Sequence, residues 1–172
     1  MRFTSLFLCG VLSVFAFDGV SAQEFNMPPD ITKIKAEDCI TYKKDILECI
    51  NWLQTDPLTD TRYKDKRMVS NSFLITWLSS CPDAGITTRP YVDQFSDVSS
   101  EFVALFMGGW AKYYYATNDK DEFACNMAGV KSVVDYYKSD KGIPKNAFMD
   151  KLVAIDKEGK LKKWLSEEMK KK

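Results

Sequence analysis

The sequence predicts an all-α fold, a single compact bundle of five or six helices braced by disulfides. Three observations carry that prediction. Beyond residue 38, apolar residues recur at three- and four-residue steps almost to the end of the chain. No alternating run is long enough to build a sheet, and no internal repeat is visible. Four cysteines stand in the part that follows an N-terminal export signal, an even number in a chain bound for an oxidising compartment.

Residues 1–22 have the order of a signal peptide. Arg2 supplies the positive start, Phe3 to Phe17 the apolar run, and Val20-Ser21-Ala22 the small residues inspected by a signal peptidase, leaving Gln23 as the new N-terminus. The run falls short of the ~20 apolar residues that span a bilayer. The expected mature chain is therefore periplasmic or secreted, with no integral membrane segment. Residues 23–37, polar and marked by Met27-Pro28-Pro29, read as an extended N-terminal lead, and 38–172 as one helical domain.

Each helix has its own signal. Cys39, Tyr42, Ile46, Cys49, Ile50 and Leu53 line one face of the first, which Asp56-Pro57 ends because proline cannot continue the hydrogen-bond ladder. Val69, Phe73, Leu74, Trp77, Leu78 and Cys81 stripe the second, and Pro82, Gly85 and Pro90 mark a loop whose 85–88 stretch is expected to be locally extended. Ser99-Ser100 offers a cap to the third, whose stripe is Phe102, Leu105, Phe106, Gly109, Trp110 and Tyr113. After a turn at Asn118-Asp119, Cys125, Ala128, Gly129, Ser132, Val133, Tyr136 and Tyr137 face one way on the fourth, closed by Lys141-Gly142 and Pro144. Two short segments follow, Asn146 to Ile155 and Leu161 to Met169, with Gly159 between them.

This order constrains the candidate disulfide residues Cys39, Cys49, Cys81 and Cys125. Ten residues on one continuous helix separate Cys39 from Cys49 by ~15 Å, beyond the ~7 Å between α-carbons that a bridge allows. Two pairings remain: Cys39–Cys81 with Cys49–Cys125, or Cys49–Cys81 with Cys39–Cys125. Antiparallel first and second helices bring Cys81 back to Cys39, so the first pairing is favoured, buried free thiols being the simpler alternative.

Composition narrows the function. The chain has equal numbers of cations and acids and no histidine. Neutrality argues against nucleic-acid binding, which needs a basic excess to displace counterions. Lack of histidine removes Ser-His-Asp and Cys-His catalysis and HExxH zinc sites. No CxxC pair, calcium loop or phosphate loop is present, so neither a metal nor a cofactor is expected. Asp56, Asp60, Asp93, Asp97, Asp119, Asp121 and Glu122 read as solvated charge, leaving a carboxylate-dependent hydrolase or lyase as the enzymatic alternative. Gly108-Gly109 costs ~1 kcal/mol per glycine inside a helix; a close crossing with Gly129 on the next helix is the expected compensation. Around it cluster aromatic residues, and Trp110, Tyr114 and Tyr115 are the candidate contacts for a protein partner or small ligand.

The segments WLQTDPLTD (52–60), NSFLITWLSSCPD (71–83), FVALFMGGWAKYYY (102–115), NMAGVKSVVDYYKSDKGIPKN (126–146) and DKLVAIDKEGKLKKWL (150–165) resemble a group of uncharacterised small exported proteins of Bacteroidetes-type bacteria. The resemblance covers about residues 50 to 168. It implies a signal peptide, a helix–PLT–helix unit, a GGWAKY helix and an AG-containing helix, and it carries no activity. In plan alone the chain is also similar to small helical periplasmic chaperones and toxin-immunity proteins. The expectation is an exported, non-enzymatic binding protein, with a structural envelope component as a further alternative.

Overall fold

The structure, a computed structural model, describes residues 25, 27–81, 85–86 and 89–171. The expected signal peptide lies outside the described residues. Within them the fold is all-helical, as the periodicity predicts, but with eight α-helices where five or six are expected. They are α1 (Asp38–Thr41), α2 (Lys43–Thr55), α3 (Lys64–Ser80), α4 (Tyr91–Val98), α5 (Ser100–Thr117), α6 (Glu122–Lys138), α7 (Ala147–Lys157) and α8 (Leu161–Glu168).

Two departures account for the larger number. The expected first helix is interrupted at Tyr42 (φ −93°, ψ 9°), whose ring stands edge-on to Phe73. A further helix, α4, occupies residues assigned to no element: Pro90 opens it, and Tyr91, Val92 and Phe95 turn into the core. Of the 85–88 stretch expected to be extended, only Gly85 and Ile86 are described, and neither lies in a strand. The lead contains a 3-10 turn at Ile31–Lys33 capped by Asp30, and it buries Phe25 and Ile34.

The core has two clusters joined through α5. Phe102, Leu105, Phe106, Trp110 and Tyr114 face α4, α6, α7 and α8. Ala104 and Ala111 face the other way, toward Ile46, Ile50 and Leu53 of α2 and Phe73, Leu74 and Trp77 of α3. A helix apolar on nearly every side belongs at the centre of a bundle, and α5 packs against α2, α3, α4 and α6.

The glycines make that position sterically possible. A Cβ on Gly109 would stand 2.6 Å from Ser132 Cβ and 2.7 Å from Ala128 O, and one on Gly129 would stand 2.6 Å from the Phe106 ring. The α5–α6 crossing is therefore closer than any side chain there permits. On the opposite side, a Cβ on Gly108 would stand 3.0 Å from Ile50 Cγ2. The helix-propensity cost of the pair is met by close packing on both faces.

Cys39 and Cys81 form a disulfide with α-carbons 5.6 Å apart, tying α1 to the end of α3. The second expected bridge is corrected: Cys49 and Cys125 are free, buried thiols. Each belongs to a different core cluster. Cys49 Sγ points to Ser70 O of α3 at 3.7 Å, whereas Cys125 Sγ donates to Asp119 O at 3.4 Å. Burial pushes the Cys49 thiol up to about 12, so it is protonated and inert at neutral pH.

Candidate functional site

A cavity of about 390 Å³ opens where the end of α5 meets the start of α2, with the disulfide in its wall. Ala36, Cys39, Ile40, Lys43, Cys81, Tyr114, Tyr115 and Asn118 line it. Three sequence features converge there. The Cys39–Cys81 bridge fixes α1 against the C-terminal end of α3. The last two turns of α5 deliver Tyr114 and Tyr115 on adjacent positions, ~100° apart around the helix. Asn118 then closes α5 in the left-handed conformation (φ 54°, ψ 24°), one of the few non-glycine residues suited to it.

The aromatic geometry is continuous. The Tyr114 and Tyr115 ring centroids lie 4.8 Å apart at 60°. Tyr115 in turn packs on Trp77 of α3 at 5.3 Å, and Tyr114 on Trp110 at 5.8 Å. The two tyrosines thus form a bridge between the core clusters, and one edge of that bridge faces the cavity. Lys43 Nζ lies 4.9 Å from the Tyr115 centroid and Lys120 Nζ 5.5 Å from that of Tyr114, within cation–π range. Ile40, at the rim, is 87% exposed, the most exposed of the large apolar side chains described.

The candidate contact residues separate here. Tyr115 is half-buried and Tyr114 is 5% exposed, yet both line the cavity. Trp110, equally 5% exposed, is packed in the cluster facing α6 and does not line this cavity. The α5–α6 approach permitted by Gly109 closes that side of the helix. Tyr113, placed on the core stripe by its spacing, is half-buried and donates to Asp119 Oδ2 at 3.0 Å. Sequence spacing did not bring Lys43, Ile40 or Asn118 to this site. Asn before an acidic turn was a legible cap signal, but a lone lysine and a lone isoleucine carry no such mark.

The carboxylates hold structural posts. Asp121 accepts from Ala124 N to cap α6, Glu122 receives Arg89, and Asp60 receives Arg62 and caps a 3-10 turn at Thr61–Tyr63. A smaller cleft of about 240 Å³ does contain two acids, Asp60 and Glu101. The Arg62 guanidinium holds the Asp60 carboxyl below its usual range, and Glu101 pairs with Arg67 at 3.3 Å. Among the described residues no cluster of three His, Cys, Asp or Glu side chains could hold a metal ion, and no helix is long and apolar enough to cross a membrane. Comparison with protein-family models, curated proteins and solved structures finds no match for this chain.

Proposed function

We propose that this chain is an exported, non-catalytic binding protein whose site is the cavity between α1, α2 and the end of α5. The observation that carries the reading is the convergence of Tyr114, Tyr115, Lys43 and the Cys39–Cys81 bridge around one opening of about 390 Å³. That volume falls in the range of ~300–1,000 Å³ common to small-ligand sites, and its mixture of apolar walls with a few polar groups is the usual one. An exposed isoleucine at its rim adds apolar surface that a ligand or a partner's side chain would cover. The disulfide favours an oxidising compartment, in agreement with the signal-like N-terminus.

Catalysis by paired carboxylates is the weaker reading. A general acid needs its proton retained near the working pH. Asp60 is pushed the other way by Arg62, and the described walls of the larger cavity contain no carboxylate at all.

Export is checked by the intact mass of the protein recovered from the cells that make it, where a chain beginning at Gln23 is expected. Binding is checked by titrating a library of small aromatic and aliphatic fragments into isotope-labelled protein and following the amide resonances. Shifts concentrated at residues 36–43 and 114–118 are expected. Shifts scattered over the surface, or none, would count against the cavity.

A further inference from the structure

We infer that the cavity takes a small monocarboxylate carrying a flat apolar ring, an inference that rests on the cavity being the binding site. Charge selects the anion: Lys43 is the only charged residue among the described residues lining the opening. Its ammonium is held 4.9 Å from the Tyr115 centroid, so the positive charge stands beside the aromatic wall that a ligand's ring would meet. Asn118 stands on the same opening, and its left-handed backbone fixes where its amide begins. One ammonium and one amide match a single negative charge. A phosphate group carries about −1.5 to −2 and is ordinarily met by several donors or a bidentate arginine, which this lining does not supply.

The walls select the ring. Tyr114 and Tyr115 are inclined at 60°, and a third ring inserted at their edge completes the tilted and edge-to-face arrangements aromatic groups prefer. Ile40 and the Cys39–Cys81 bridge add apolar and sulfur surface to the same lining. An alkyl carboxylate would satisfy Lys43 but forgo the ring contacts.

The test uses naphthalene-2-carboxylate and its neutral match, naphthalene-2-carboxamide, in calorimetric titrations of the oxidised full chain. Saturable binding of the carboxylate is expected, with the carboxamide about tenfold weaker. The variant Lys43→Met keeps the apolar stem and should bring the two ligands level. Tyr115→Leu should weaken both. Added salt should weaken the carboxylate alone. Both positions are at least partly exposed, so the variants are expected to stay folded, as circular dichroism would verify. Equal binding of the two probes, or a carboxylate preference that survives Lys43→Met, would overturn the inference and leave the cavity as a neutral site. Failure of both probes, while other fragments still shift residues 36–43 and 114–118, would overturn the inference alone. Failure of both probes and of every fragment would overturn the cavity reading with it.

Discussion

The two sides of α5 are held together in different ways. On one side, the longer helices α5, α6 and α7 each open on a local side-chain cap, Glu101 N donating to Ser99, Ala124 N to Asp121, and Phe148 N and Met149 N to Asn146, while the short α4 and α8 open without one. On the other, α1, α2 and α3 open with no side-chain cap. That side is secured from a distance. The disulfide links residues 42 apart, Arg67 reaches across to Leu53 O and Asp56 O, and Lys141 donates to Gln54 O and Thr55 O at the end of α2. Among the described residues, the four exposed large apolar side chains, Ile40, Met68, Val69 and Ile75, lie on the same distance-secured side. Local capping makes a helix start where its own sequence says; a long-range staple makes it depend on the rest of the fold. The candidate cavity sits at the seam and borrows walls from both.

Reduction of Cys39–Cys81 should have the largest effect. Opening a loop of this length costs ~4 kcal/mol in the chain-entropy account, read as a lower urea midpoint. Hydrogen exchange should then quicken in α1 to α3 ahead of α5 to α7; uniform quickening would erase the comparison.

Arg67→Met comes next. Arg67 is 5% exposed, and its loss removes the side-chain donor to Leu53 O, leaves Asp56 O with the Tyr136 hydroxyl alone, and leaves Glu101 without its cation. About 3 kcal/mol is expected, with the fluorescence of the neighbouring Trp52 reporting the change.

Gly129→Ala probes the close approach of α5 and α6, the two longest of the locally capped helices. The added methyl would meet the Phe106 ring and its carbonyl at 2.8 Å or less. A net loss of ~2 kcal/mol is expected from overpacking, even though alanine gains ~1 kcal/mol of helix propensity over glycine. A more stable variant would show that α5 and α6 can separate freely.

Asn146→Ala should cost ~1 kcal/mol, the ordinary worth of an N-cap. The loss should be confined to exchange protection in the first turn of α7, because the cap is local.

The smallest effect concerns Asp156, which takes hydrogen bonds from Lys131 and Lys138. Burial raises its pKa, but the two lysines outweigh burial and hold the carboxyl below its usual range. Its folded pKa lies under the unfolded value, so its contribution is full above ~pH 4 and is lost as pH falls through the folded pKa. Asp156→Asn should flatten the acid limb of stability against pH by less than ~1 kcal/mol, since the lysines are partly exposed and screened. An unchanged acid limb would remove the network from the stabilising contacts of α6 and α7.

Much of the locally capped side was legible. Ser99 and the Phe102-to-Trp110 stripe marked α5, and the acidic turn marked the start of α6. The Gly109–Gly129 approach followed from the energetic oddity of glycines inside a strong helix. The α4 helix was also within reach, since Pro90 precedes Tyr91, Val92 and Phe95 at one-face spacing. The distance-secured side was harder. Nothing at Tyr42 is a helix breaker; the interruption accompanies the ring contact with Phe73 and the nearby disulfide.

By itself the sequence determined the helical class and the α5–α6 crossing and excluded a Cys39–Cys49 bridge, because periodicity, glycine cost and helix rise are properties of neighbouring residues; it favoured the Cys39–Cys81 bridge that the structure shows. Tertiary structure alone decided that Cys49 and Cys125 stay apart, that Trp110 turns inward, and that Lys43, Ile40 and Asn118 join Tyr114 and Tyr115 at one opening. Those outcomes depend on which faces of separate helices meet, and a single helix's spacing fixes its own face but not its partner's.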